Sequence, residues 1–261
     1  MENSNNVASL SKSKLGEVSA ITMTTPNLQY SAAFYKHLSF LQVAANTFPF
    51  PWIQISDGTL LIMLRQGNEP FSSLTYYTRN LDVIVHELEK AGIVFIQRPS
   101  PTDMIRRFVF QSPDGFNISL VTFVEGFKQP VGPTALTLPP NDFFVPEKYP
   151  NPSCGVFGEY AHPVKDLDTS IAYWKKLGFN YREKYTAPYP WTIMSDGLAI
   201  IGLHQTDTFN YPVITYFAAD QARKIENLKT NGLTAYTEKG NGSVTFFTPE
   251  QQYFNLFKIG L

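Results

Sequence analysis

Pro51–Gly58 reads PWIQISDG, and Pro190–Gly197, 139 residues further on, reads PWTIMSDG. Five of the eight letters coincide, and an apolar run follows each copy, TLLIML in the first and LAIIGL in the second. Asp-Gly supplies the positive backbone angles that a tight hairpin turn needs. Each octet therefore reads as one strand and the turn into the next.

The likeness spreads outward from the octets. Upstream, VSAITMTTPNLQYSAAFYKHLSF matches GEYAHPVKDLDTSIAYWKKLGF, with Asn27 facing Asp166 at the same offset of 139. Downstream, SLTYYTRNLDVIVHELEKAGIVF matches VITYFAADQARKIENLKTNGLTA at an offset of 140, and RRFVFQSPDGFNISLV matches SVTFFTPEQQYFNLFK at 136. Every element recurs in the same order, so the chain is a duplicated domain, and a repeat of this kind governs the rest of the reading. Within each copy a strand leads into Asn27 or Asp166, residue types that cap the helix that follows. The helices LQYSAAFYKHL and LDTSIAYWKKLG place apolar and aromatic groups on one face at spacings of three and four. Three short strands follow, and the second half of each copy repeats strand, helix and strands. The chain reads as four βαβββ units.

Composition narrows the function classes. Hydrophobic residues make up 43% and charged residues 16% of 261, which describes an ordinary globular chain with ample core. A net charge of −1 without a basic stripe gives nucleic-acid binding no electrostatic support. Cys154 is the only cysteine, which excludes an internal disulfide framework and a cysteine-based zinc site. The aromatic share is 15%, with 21 Phe and 14 Tyr; such side chains fill cores and also line pockets for flat organic ligands. The polar start MENSNNVASLSKSKLG lacks the apolar stretch of a signal peptide and reads as a disordered lead-in. No apolar run approaches the roughly 18 residues of a membrane span, so a cytoplasmic protein without membrane or nucleic-acid partners is expected.

The spacing Asn27/Asp166–x3–Ser31/Ser170–x2–Phe34-Tyr35/Tyr173-Trp174, the Leu-Ser/Gly-Phe closing each helix, the SDG hairpins and the strands PDGFNISLV and PEQQYFNLFK resemble the vicinal oxygen chelate superfamily. That superfamily includes glyoxalase I, bleomycin-resistance proteins and extradiol dioxygenases. The resemblance implies an α+β fold: four βαβββ units forming two glyoxalase-like domains, with curved mixed sheets and helices on the outer faces. The expected division is a disordered segment over 1–15, domain one over 16–124, a Pro-rich linker over 125–154 and domain two over 155–261. Phe143, Phe144 and Val145 are too apolar to float, so the linker is expected to be ordered against one face.

In metal-dependent members, strands of each unit supply His or Glu side chains to one divalent cation. Carried over by position, those places hold Ala20, Met63, Leu74 and Ser119 in the first copy, and Glu159, Gly202, Ile214 and Asn255 in the second. Only Glu159 is a good ligand for a hard cation. No cofactor is predicted; a divalent metal, if held, would rest on Glu159 and His204. Glyoxalase-type isomerisation and ring-cleaving dioxygenation are disfavoured together.

Strand alternation then nominates a ligand-facing set. Pairing the first unit of one domain with the second of the other gives one cup with Glu159, His204, Leu74, Tyr76, Asn117 and Ser119. The other cup would carry Thr22, Arg65, Ile214, Tyr216, Tyr253 and Asn255. If cups form within one domain instead, Glu159 and His204 still stay together. Those two read as a general acid/base couple or two legs of a weak metal site, or else as an exposed strand-end histidine and a glutamate that satisfies a neighbouring backbone group. Arg65 reads either as a solvated arginine at the rim or as a fork of donors for a carboxylate or phosphate. His162 is placed on the opposite face of its strand, packed under a helix, and His37 and His86 on the surface. Cys154 has no base beside it to make it a nucleophile.

Two functions follow. The first is a metal-free binding protein for an aromatic or amphipathic small molecule. The second is a lyase- or isomerase-like enzyme using Glu159 and His204. The chain is expected to act as a monomer with paired domains or as a homodimer. The repeated octet itself is expected to be scaffolding, with its tryptophan at a cup's edge.

Overall fold

The computed structural model describes residues 13–239 and 243–259. The first copy runs β1 (Val18–Thr25), α1 (Leu28–His37), β2 (Leu41–Asn46), β3 (Trp52–Ser56), β4 (Leu61–Gln66), β5 (Ser72–Thr78), α2 (Leu81–Lys90), β6 (Phe95–Gln97), β7 (Arg107–Gln111) and β8 (Asn117–Thr122). The second repeats that order as β9 (Val156–Pro163), α3 (Leu167–Lys176), β10 (Asn180–Tyr181), β11 (Trp191–Ser195), β12 (Ile200–His204), β13 (Val213–Ala218), α4 (Gln221–Thr230), β14 (Tyr236–Glu238), β15 (Val244–Phe247) and β16 (Tyr253–Lys258). These are the four βαβββ units of an α+β fold.

Each copy folds into one mixed eight-stranded sheet, ordered β2-β3-β4-β1-β5-β8-β7-β6 and β10-β11-β12-β9-β13-β16-β15-β14. The two units of a copy meet where β1 pairs antiparallel with β5, and β9 with β13. Each sheet is therefore made by consecutive strands of one copy. The cross-domain pairing of units does not form, and both cups lie within single copies.

The helices start where their caps dictate. Asn27 accepts the Tyr30 amide at 3.0 Å and Asp166 the Thr169 amide at 2.8 Å. Helix faces and convex sheet faces share one hydrophobic cluster that runs through both copies, including Tyr35, Phe40, Tyr76, Tyr160, Trp174 and Tyr216. Phe116 of the first copy packs on Tyr160 and Trp174 of the second at ring distances of 5.5 and 6.2 Å. The concave faces lie on the other side of each sheet from this shared core. Among the described residues no helix is long and apolar enough to cross a membrane.

The octets are strands β3 and β11 with their turns. Gly58 and Gly197 take φ of 91° and 92°, the left-handed region that glycine adopts without penalty. Asp57 Oδ1 accepts the Thr59 and Leu60 amides at 2.9 Å, and Asp196 Oδ1 accepts those of Leu198 and Ala199.

The segment between the sheets is ordered by backbone and side-chain bonds. It forms two 3₁₀ turns, Pro140–Phe144 and Pro146–Lys148. Gln129 accepts the Ser19 amide and donates to the Leu198 carbonyl, which bridges the copies. Phe143 and Val145 are half-buried, whereas Phe144 is 65% exposed, because the turn aims it outward. Residues 1–12 of the expected lead-in lie outside the described residues. Ser13–Leu15, expected to be disordered with them, are docked: the Ser13 hydroxyl donates to Asp196 at 2.6 Å and Leu15 is fully buried.

Candidate functional site

On the concave face of the first sheet, strand register sets the neighbours. Thr22 lies opposite Met63, Trp52 opposite Arg65, Ala20 opposite Thr75, Thr75 opposite Ser119 and Arg107 opposite Val121. Directly opposed residues share a face. All of these side chains except Ala20 wall a cavity of about 260 Å³, with Phe50 and Phe71 at its side and Met104 and Ile105 at its mouth. Phe127, just beyond β8, closes one end, edge-on to Trp52 at 5.6 Å and to Tyr77 at 4.9 Å. Trp52, Met63, Tyr77, Val121 and Phe127 form an apolar cluster separate from the shared core.

The polar groups of this cup are unevenly satisfied. The Ser119 hydroxyl donates to Ser73 at 3.0 Å, and Ser73 and Thr75 share a bond of 2.8 Å. Thr22 Oγ1, Gln54 Nε2 and Arg65 Nε are buried without a hydrogen-bond partner. Buried polar atoms are nearly always paired in folded proteins, so these groups leave hydrogen-bonding capacity on the concave face for water or a ligand. Burial, aided by the charge of Arg107, lowers the Arg65 guanidinium to about 10. Burial lowers Arg107 as well.

The second concave face is built differently. His204 Nε2 and Glu159 Oε1 lie 2.9 Å apart, both groups buried, and Glu159 Oε2 and His204 Nδ1 have no partner. Gly202 makes this possible: a Cβ there would stand 2.0 Å from Glu159 Oε2 and 2.7 Å from His204 Nε2. Aromatic rings surround the couple. Trp191 lies parallel to His204 at 5.7 Å, and Tyr189 and Phe209 meet it edge-on at 5.8 and 5.7 Å. Tyr253 stacks on Tyr211 at 3.1 Å, and Asn255 Oδ1 accepts the Thr245 hydroxyl at 2.5 Å.

The nominated residues thus separate. Arg65 and Ser119 line the first cup, and Glu159, His204, Tyr253 and Asn255 share the second face. Asn117 sits beside the first cup at a strand end, engaged with Gln111 and the Ser72 carbonyl. Tyr76 and Tyr216, with Leu74 and Ile214, face the convex core rather than a cup. Their concave counterparts are Thr75 and Tyr77 in β5, and Thr215 and Phe217 in β13. Adjacent aromatics in TYY and TYF send one ring to each face, so alternation alone does not choose between them.

Arg107, Thr75 and Tyr77 are the residues that sequence reasoning missed. A signal for Arg107 was present: Phe108 and Phe110 mark the core face of RRFVFQ, which turns Arg107 to the concave side. His162 lies on the convex face as expected, though against Phe116 of the other copy at 3.7 Å. Burial keeps its imidazole neutral, lowered to about 3. His37 and His86 are exposed, and Cys154 is buried, its thiol raised by that burial.

With the strand phase corrected, the positions that the resemblance assigns to a metal hold Ala20, Met63, Thr75 and Ser119, and Glu159, Gly202, Thr215 and Asn255. A divalent site needs about three firm ligands. Among the described residues no three His, Cys, Asp or Glu side chains come together. This donor set does not fit the family's ion.

No family model and no curated protein matches the sequence. Solved structures do match the fold. Homoprotocatechuate 2,3-dioxygenase from Brevibacterium fuscum, in a single-residue variant, superposes with a TM-score of 0.62 at 9% identity, covering 95% of this chain and 72% of that one. The enzyme from Arthrobacter globiformis gives 0.61 at 12%, over 96% and 81%. The 2,3-dioxygenase LapB from Pseudomonas sp. KL28 gives 0.58 at 12%, over 97% and 94%. Likeness at such identities concerns architecture, and function has to be argued from the site. The chain has the tandem βαβββ, two-domain fold seen in these extradiol dioxygenases.

Proposed function

We propose that the protein binds an aromatic or amphipathic small molecule in the concave face of its first domain. The observation that carries this reading is the cavity of about 260 Å³ walled by Phe50, Trp52, Met63, Phe71 and Val121. Ligand sites are mostly apolar hollows with a few placed polar groups, and volumes run from roughly 300 to 1,000 Å³. This cavity lies near the low end, which suits a ligand of one or two rings. The activity of the dioxygenase neighbours is not carried over, because the donor set does not fit their kind of ion.

The test is a thermal-shift screen with one- and two-ring aromatic compounds on the parent protein and on Ile105→Trp. Ile105 lines the mouth from a loop, so a larger ring there narrows the cup without disturbing a strand. Compounds that raise the parent's melting temperature by several degrees should lose most of that effect in the variant. Equal stabilisation of both proteins would place the ligand elsewhere.

A second, enzymatic reading is favoured by the buried Glu159–His204 contact. If Glu159 accepts the Nε2 proton, the His204 Nδ1 lone pair is left as a base with no partner. Gly202 and the surrounding rings would hold that base in place. Ligands from the screen can be followed by NMR of labelled histidines. A compound that reaches the couple moves the His204 signals; if no stabilising compound does, this reading is lost.

A further inference from the structure

We infer that the first cup is selective for anions, and that its ligand is a small aromatic carboxylate held by Arg65 and Arg107. This rests on the binding reading of the same cup and names its chemical class.

Two guanidinium groups line one small cavity. Among the described residues neither has an ion-pair partner within 4 Å. The Arg107 Nη2 donates to the neutral Gln97 Oε1 at 3.3 Å, and the Arg65 Nε has no hydrogen-bond partner among the described residues. Asp103, at the cup's mouth, is the single acidic residue on the lining, and its carboxylate is engaged by the Ser100 amide. The lining therefore carries a net positive charge of one. Like charges in a partly desolvated hollow destabilise one another; the charge of Asp103 acts on Arg107 from a distance without forming an ion pair, and no carboxylate acts on Arg65. A protein has no folding reason to keep such a pair, whereas an anionic ligand would offset it.

The geometry narrows the anion to a planar one on a flat body. Arg65 lies over the Phe50 ring at 4.5 Å and Arg107 over the Phe71 ring at 5.0 Å. A guanidinium backed by a ring keeps its in-plane donors for a ligand, and that fork matches a carboxylate. Trp52, Met63 and Val121 supply an apolar wall for the rest of the molecule. Burial disfavours the charged form of Arg65, and the opposite charge of a bound carboxylate offsets that penalty.

The experiment is calorimetric titration with naphthalene-2-carboxylate and with its neutral isostere naphthalene-2-carboxamide. The proteins are the parent and an Arg65→Met, Arg107→Met double variant, which keeps apolar volume and removes both charges. The carboxylate is expected to bind the parent at least tenfold more tightly than the carboxamide, and the double variant should erase that preference while still binding the carboxamide. The free double variant should also melt at the same temperature as the parent or higher, because removing the repelling pair relieves strain that an ion-pair role would not show. If both compounds bind the parent alike, or the preference survives in the variant, anion selectivity is overturned and the binding reading stands. If neither compound binds the parent, both fall.

Discussion

Asp57 and Asp196, the acidic residues of the repeated octets, each act on two scales. One carboxylate oxygen holds the hairpin, and the other reaches across the molecule. Asp57 Oδ2 accepts the Tyr216 hydroxyl of the other copy at 2.5 Å and the Asn151 amide at 3.0 Å. Tyr76 stands in the equivalent place beside Asp196, but its hydroxyl makes no hydrogen bond of normal geometry. Burial, and then the neighbouring carboxylate, raises both phenols well above their ordinary range, so both stay protonated. Removing the Tyr216 hydroxyl takes a donor from the half-buried Asp57 carboxylate, which costs about 1–3 kcal/mol. Tyr216→Phe should lower the urea unfolding midpoint accordingly, whereas Tyr76→Phe should leave stability within about 0.5 kcal/mol or raise it. Equal losses in the two variants would refute this asymmetry.

At the scale of elements, some features are decided by local chemistry and some are not. The caps are local: Asn27 and Asp166 precede helical periodicity, and each accepts the amide that its position predicts. Asn27→Ala should destabilise the protein by about 1 kcal/mol, read by chemical denaturation, with the concave faces unaffected. The hairpins are local too, because Asp-Gly specifies its own turn. The phase of β5 and β13 is not. Their strands carry large rings on both faces, and burial on both faces erases the alternation that would reveal a phase. In β13 a register shift between Thr215 and Tyr216 moves the pairing further, placing Tyr216 opposite Phe157 and leaving Gly158 as the extra residue. No pattern in the letters announces that bulge.

At the scale of the whole molecule, the two copies share one core, and groups buried there answer to both domains. His162, from the second copy, is pressed against Phe116 of the first and has no partner for Nε2. Its imidazole is neutral in the fold, with a pKa lowered to about 3 against an ordinary value near 6.5. As pH falls below about 6.5 the unfolded chain takes up a proton that the fold refuses. Stability is therefore lost progressively down to about pH 3, by up to about 1.4 kcal/mol per pH unit. His162→Leu should remove this component, so that the variant's stability relative to the parent rises as the pH is lowered from neutral to about 4. A difference independent of pH would show that His162 is not held neutral.

The sequence by itself determined the duplication, the four βαβββ units, their caps and turns, and the poverty of metal donors. Each of these depends on residues close together in the chain or on the identity of single letters. Tertiary structure decided which units share a sheet, which face each β5 or β13 tyrosine takes, and that Arg65 and Arg107 meet in one cavity. It also decided that Glu159 and His204 close on each other under a ring of aromatics. Those outcomes depend on strand register and on which convex faces bury each other. Side chains brought together that way lie far apart in sequence, and no local periodicity encodes their distance.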